Sequence, residues 1–370
     1  MKNLLEKLNP AQRAAVETSD GPVLIIAGAG SGKTKALTHR VAYLIKEKRV
    51  NPRNILAVTF TNKAATEMKK RVMDLLESNQ ESALPTLGTF HSVCGRILRS
   101  EIDKLGYKKN FSILDSQDQL SLAKKVVKEL GINADQFKPS SLLNSISHAK
   151  NELIDERAFA EQVGGYFEEV VSKVYTEYQK RLRAQSALDF DDMIMLTVKI
   201  FQNFPDTLEK YRNIFRYIMV DEYQDTNHAQ YMLVKLLAEK YRNICVVGDD
   251  WQGIYSWRGA NIQNILDFEK DYPEAKTIKL EQNYRSTQTI LDAAYGVISK
   301  NINRKDKQIW TENKAGHRLI SYEAPDEKAE AEFIVSEIKK LCHCHPESQT
   351  LEVEESNENI TRPQDRTQGG

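Results

Sequence analysis

Four short stretches of the chain are almost continuously apolar: Val23–Ala27, Ile55–Phe60, Tyr217–Val220 and Ile244–Gly248. A strand covered on both faces has no solvent side to alternate with, so each stretch reads as a buried strand of a parallel sheet. Segments with helical spacing fall between them, at Lys33–Lys46, Lys63–Leu76 and His228–Lys240. Strand and helix in alternation predict an α/β fold, doubly wound about a parallel sheet.

From Ser112 to Ala187 the strand signals stop and charged helices such as Gln117–Leu130 and Glu168–Ala184 take over. This predicts an all-helical insertion over 112–187 that splits the α/β domain into 1–111 and 188–282. Beyond it, helix Thr287–Ser299, a strand at Leu319–Glu323 and helix Glu327–Leu341 predict the beginning of a second α/β unit over 283–341. Residues 342–370 carry only Leu351, Val353 and Ile360 as sizeable apolar groups. Such a segment buries too little surface to offset its ordering entropy and is expected to be a disordered acidic tail. No internal repeat is visible.

A length of 370 residues allows two or three domains, and 41% hydrophobic with 28% charged residues is ordinary globular composition. No apolar run reaches the roughly 18 residues that a membrane helix needs, and MKNLLEKLNPAQ has no signal-peptide core. A cytoplasmic protein with no membrane association is expected. Four cysteines, at 94, 245, 342 and 344, make no disulfide framework. Cys342-His343-Cys344-His345 has zinc-binding residue types, but no second ligand pair lies near it, and no metal is assigned there. Net charge is zero, with −4 carried from Cys342 onward and +4 before it. Any nucleic acid must therefore be held by a local groove and not by the whole surface.

The first chemical motif follows the first strand. Ala27-Gly28-Ala29-Gly30-Ser31-Gly32-Lys33-Thr34 joins a strand to a helix, the context in which a glycine-rich loop cradles phosphate. Glycines let successive N–H groups close on phosphate oxygens, and the helix N-terminus adds a favourable dipole. Lys33 neutralises β/γ charge, and Thr34 offers a hydroxyl to Mg²⁺. Ala27 stands where the usual pattern has glycine. Asp221 and Glu222 come at the end of a second buried strand, the edge at which open α/β sheets bind ligands. Asp221 is suited to hold Mg²⁺ and Glu222 to orient and deprotonate the attacking water.

A third segment, VVGDDWQGIYSWRGA from Val246 to Ala260, passes from a strand through two acids and an amide into two aromatics and an arginine. With it stand Leu8-Asn9-Pro10-Ala11-Gln12, Val58-Thr59-Phe60-Thr61-Asn62-Lys63-Ala64-Ala65, Gly88-Thr89-Phe90-His91-Ser92, Asp221-Glu222-Tyr223-Gln224-Asp225-Thr226 and Gln282-Asn283-Tyr284-Arg285-Ser286. In this order, over residues 1–341, they resemble the N-terminal half of a UvrD/Rep/PcrA-type superfamily 1 DNA helicase.

The resemblance implies two RecA-like domains, each with an insertion, that use ATP to step 3′→5′ along single-stranded DNA, in DNA repair or replication. It implies that Gln12 reads the adenine edge, that Tyr284 stacks on the base, that Arg285 acts as an arginine finger and that Gln252 senses the γ-phosphate. Phe60, Thr61, Asn62 and His91 would line the DNA track. Tyr255, Trp257 and Arg258 would meet the bases, so that one segment touches both nucleotide and DNA. In an arbitrary chain such rings are core anchors, and Thr61 and Asn62 are helix-cap residues. Leu188-Asp189-Phe190-Asp191-Asp192 also resembles a family element and is given no chemistry.

After Arg285 no Lys-Gly-Leu-Glu-Phe or Tyr-Val-x-x-Thr-Arg-Ala string follows. The expectation is a truncated, frameshifted or designed chain that ends soon after the second RecA-like domain begins. Such a chain should bind ATP–Mg²⁺, single-stranded DNA and single-strand/duplex junctions weakly and unwind little, with repair or replication proteins as further partners. The alternative is a nucleotide-gated binding module without productive turnover.

Overall fold

The computed structural model describes residues 4–77, 84–301 and 304–343. The chain divides into one compact unit up to Gly316 and a second from His317. Among its described residues the first unit holds eight strands: β1 (Val23–Ala27), β2 (Ile55–Thr59), β3 (Thr86–Thr89), β4 (Ser112–Ile113), β5 (Ala187–Leu188), β6 (Tyr217–Val220), β7 (Ile244–Gly248) and β8 (Lys276–Leu280). Its first helices are α1 (Pro10–Glu17), α2 (Lys33–Lys46), α3 (Asn62–Leu76) and α4 (Phe90–Glu101). The helical insertion contributes α5 (Ser116–Glu129), α6 (Pro139–Asn151), α7 (Glu156–Glu161) and α8 (Tyr166–Gln185), and α9 (Phe190–Asn203) returns to the core.

Six strands form a wholly parallel sheet in the order β3-β2-β6-β7-β1-β8. Successive side chains of each strand enter different cores. Leu24, Ile26, Leu56, Val58, Ile218, Val220, Ile244 and Val246 pack with residues of α4 and α9. Val23, Ile25, Ala27, Ile55, Ala57, Met219, Cys245 and Val247 pack with residues of α2 and α3. Burial on both faces is why these strands have no polar alternation. The RecA-like α/β class expected from the sequence is the fold observed.

Two strands of the main sheet escaped the sequence reading for physical reasons. β8 is an edge strand with Lys276, Thr277 and Lys279 exposed, so its pattern lacks the continuous apolar run of a central strand. β3 has only four residues, two of them half-buried.

The insertion is closed by a short parallel pair, Ser112 opposite Ala187 and Ile113 opposite Leu188. Between these strands its described residues form helices around a core that includes Val126, Phe137, Ile146, Val174 and Tyr175. Lys150 of α6 fastens it to α9, with its ammonium 2.6 Å from Asp189 and 2.8 Å from Asp192, all three side chains being buried. Asp189 also caps α9 by accepting from the Asp192 amide. The Leu188–Asp192 element is thus an anchor for the insertion.

Past β8 the chain forms helix Gln288–Ile298 and then returns so that Trp310 bridges Gln282 in parallel. In the second unit, Leu319–Glu323 is irregular and not the expected strand. Among the described residues no strand lies beside it to pair its backbone groups. Helix Glu327–His343 follows and takes in Cys342. Cys344, His345 and the remainder of the expected acidic tail lie outside the described residues. No described helix is long and apolar enough to cross a membrane.

Candidate nucleotide site and nucleic-acid edge

Because the six strands are parallel, their C-terminal ends emerge at one edge. The glycine-rich loop follows β1, the acidic pair follows β6, the Asp249–Arg258 segment follows β7 and Gln282–Arg285 follows β8. Phe60 and His91 follow β2 and β3.

The loop after β1 uses glycine where a side chain would not fit. Gly30 and Gly32 have φ of 67° and 85°, in the left-handed region that glycine enters at little cost. A Cβ on Gly32 would lie 2.6 Å from Gln12 Nε2, and one on Gly30 would lie 2.7 Å from Arg285 Cβ. Ala27 is the last, buried residue of β1, so its methyl stays in the sheet and leaves the loop unobstructed. Each loop carbonyl has a protein donor. Gly28 O accepts from Ser31 Oγ at 2.7 Å, Ala29 O from Asn283 Nδ2 at 2.6 Å, Gly30 O from Tyr284 N at 3.0 Å and Ser31 O from Gln12 Nε2 at 2.9 Å. Pairing these oxygens reduces the repulsion they would present to an anion at the start of α2.

Lys33 begins α2 and its ammonium is 3.4 Å from Glu222 Oε2. Thr34 is the next residue and is half-buried. Glu222 has φ of 50°, strained for a residue with a side chain, as functional positions often are. Asp221 is buried, and burial followed by the charge of Glu222 pushes its carboxyl up to about 7, against the pull of Lys33. Two adjacent carboxylates, one buried at that cost, fit a divalent cation, which would hold Asp221 ionised.

A chain of hydrogen bonds joins the ends of β6 and β7. Gln224 Nε2 donates to Glu222 Oε2 at 3.0 Å, and Gln224 Oε1 accepts from Asp249 N at 2.9 Å. Asp249 Oδ2 accepts from Gln252 Nε2. The acidic pair and Gln252 are thereby linked through one buried amide. Gly248 makes room for it, since a Cβ there would sit 2.6 Å from Gln224 Oε1. Neither Gln224 nor Lys307 was assigned a role from the sequence. Lys307 is buried with its ammonium 2.6 Å from Asp249 and 2.7 Å from Asp250, and 4.3 Å from the Trp251 ring centroid. Asp249 and Asp250 are therefore an ion-paired support under Gln252. The signal available beforehand was two adjacent acids at a buried strand end, which require a cation.

Gln12, expected at the adenine edge, is fully buried, and its amide is held by Ser31 O and by the Asn9 N–H at 3.3 Å. Beside it Asn9 Nδ2 donates to the Tyr284 hydroxyl at 2.8 Å, which donates to Gln282 Oε1 at 2.8 Å. Tyr284 remains 51% exposed, leaving ring surface to stack. Arg285 is exposed, with its Cβ against Gly30.

In the segment after β7, Trp257 is 72% exposed and lies beside Tyr255, with ring centroids 6.4 Å apart. The Arg258 guanidinium covers both rings, at 4.5 Å and 5.7 Å. Phe60 is half-buried with its edge against Phe90 at 5.6 Å. His91 meets Phe190 at 5.7 Å, and burial lowers its pKa, so it is a neutral donor or stacking group near pH 7. Asn62 is exposed as the first residue of α3. The Thr61 hydroxyl caps that helix by accepting from Ala64 N at 3.1 Å, the structural use of threonine noted above.

This fold and edge define a RecA-like domain of the P-loop class. Residues 8–273 match the UvrD/REP helicase N-terminal domain, and residues 278–361 match the UvrD-like helicase C-terminal domain. The chain belongs to the UvrD/REP helicase family. It is 56% identical over 338 residues to the ATP-dependent DNA helicase PcrA of Bacillus subtilis strain 168, covering 91% of this chain and 46% of that protein. It is 54% identical over 340 residues to the PcrA proteins of Staphylococcus aureus strain Mu50 and Staphylococcus epidermidis, covering 92% of this chain and 46% of each relative. The chain thus spans about half the length of the relatives it matches. The C-terminal match continues past Leu341, into the segment read as an acidic tail.

Proposed function

We propose that the chain binds and hydrolyses ATP and engages single-stranded DNA as part of a 3′→5′ DNA helicase or translocase serving DNA repair or replication in the cytoplasm. The observation that carries this reading is the strand order. β7 lies between the strands bearing the DNA candidates, β2 and β3, and those bearing the phosphate loop and Arg285, β1 and β8. Its following segment holds Gln252, joined through Asp249 and Gln224 to Glu222, and an exposed Trp257 a few residues on.

In this reading the phosphates of ATP lie on the loop at the start of α2, with Lys33 against the β/γ oxygens. Thr34 and Asp221 would hold Mg²⁺, which would neutralise phosphate charge. Glu222 gives up its contact with Lys33 and orients the water. Arg285 approaches the γ-phosphate from the β8 side, and Gln252 reports phosphate loss through Asp249 and Gln224. Tyr255 and Trp257 stack on bases, a sequence-tolerant contact that a motor needs. Junctions and repair or replication proteins are the partners in keeping with this role.

ATP hydrolysis by the purified chain, measured with and without a single-stranded oligonucleotide, tests the reading. Stimulation by DNA that is lost in Lys33→Ala and in Glu222→Gln supports it. Equal rates with and without DNA would instead favour a nucleotide-gated binding module.

A further inference from the structure

One side chain connects the phosphate loop to the arginine that follows β8. Asn283 is buried at 1% exposure, between two elements far apart in sequence. Its Nδ2 donates to Ala29 O in the loop at 2.6 Å. Its Oδ1 accepts from Arg285 N at 2.8 Å and from Ser286 N at 2.7 Å. Its backbone is fixed as well, with the N–H donating to Trp310 O at 2.7 Å and the carbonyl accepting from Thr311 Oγ1 at 2.8 Å. This planar amide, beside the backbone bond from Tyr284 N to Gly30 O at 3.0 Å, therefore helps set the distance between Ala29 and the Arg285 backbone. The packing is tight enough that a methyl on Gly30 would meet both residues, at 2.9 Å from Asn283 Nδ2 and 2.7 Å from Arg285 Cβ.

We propose that Asn283 is a positioning residue that holds Arg285 over the phosphate loop, so that the guanidinium meets the γ-phosphate only when the loop is in its nucleotide-binding shape. This rests on the ATPase reading given above. The chemistry is well suited to the task. An amide is the smallest side chain that donates at one end and accepts twice at the other, whereas Asp lacks the donor and Ala lacks both. Buried on all sides, it holds Arg285 without water competing for those bonds. Displacing a catalytic group by about 1 Å costs on the order of 10²-fold in rate, so a small slip of this link would be visible kinetically.

A double-mutant cycle in steady-state ATP hydrolysis tests the inference. Asn283→Ala and Asn283→Asp are each expected to lower kcat by at least about tenfold while KM for ATP stays within about threefold. Asn283→Asp keeps the acceptor for Arg285 and replaces the donor to Ala29 O with an oxygen that repels it, so it tests the loop end of the link where Asn283→Ala folds poorly. Arg285→Ala is expected to lose on the order of 10³-fold. In the Arg285→Ala background neither Asn283 variant should cause further loss, because the group it positions is gone. Additive losses, or a change in KM alone, would overturn the inference. Failure of the unmodified chain to hydrolyse ATP would instead defeat the functional reading, while additive losses in a hydrolysing chain defeat only the role of Asn283.

Discussion

The Lys307 ammonium lies 2.6 Å from the Asp249 carboxylate, with both side chains almost wholly removed from solvent. Lys307 stands far from Asp249 in sequence, yet it neutralises that acid and Asp250 together, and the Lys305 N–H also donates to Asp250 at 2.7 Å. Removing one partner of a buried ion pair strands the other charge, at about 3–5 kcal/mol. Lys307→Met is expected to destabilise the chain by about that amount. Urea unfolding should show it, and Lys307→Met with wild-type stability would mean that Asp249 and Asp250 need no cation.

Lys33 should discriminate by phosphate number. A charged hydrogen bond contributes about 1.5–3 kcal/mol, so Lys33→Ala should weaken ATP binding by roughly 10- to 100-fold and adenosine binding hardly at all. Titration of a fluorescent ATP analogue and of a fluorescent adenosine reads the difference directly. Equal weakening of both would place Lys33 away from the phosphates.

Trp257 is exposed and makes little core, so Trp257→Ala should leave thermal stability nearly unchanged. It should weaken binding of a single-stranded oligonucleotide by about 1–3 kcal/mol, the contribution of one stacked base. Anisotropy titration at fixed salt measures this. His91, held neutral by burial, is expected to add no pH dependence to that affinity above pH 7.

The acidic pair sets a pH dependence on the nucleotide side. With its carboxyl pushed up to about 7, Asp221 without a cation is protonated below that pH, and a Mg²⁺ ion held there would have to displace the proton. Mg²⁺-dependent ATP affinity should therefore rise between pH 6 and pH 8 and level off above. The same raised value makes its contribution to stability full below the unfolded carboxylate range, lost as pH rises through about 7. Asp221→Asn should flatten both profiles; an unchanged slope in that variant would assign the titration to another group.

The sequence revealed the central strands because burial on both faces leaves an unmistakable apolar run, and it revealed the phosphate loop because glycine spacing follows from backbone shape. It hid β8, whose edge position tolerates Lys276 and Lys279, and it suggested a strand at Leu319–Glu323 that has no described neighbour to pair with. The site residues it missed, Gln224 and Lys307, act through partners distant in sequence. No local pattern encodes a bond from Gln224 to Asp249 or from Lys307 to Asp250.

If the segment after β7 couples nucleotide and DNA as proposed, each ligand must change the affinity of the other by the same factor. The most direct measurement is the dissociation constant of a single-stranded oligonucleotide with and without a non-hydrolysable ATP analogue and Mg²⁺, for the unmodified chain and for Gln252→Ala. Nucleotide is expected to shift DNA affinity in the unmodified chain, and the shift is expected to vanish in Gln252→Ala. The same shift in both proteins would contradict the coupling.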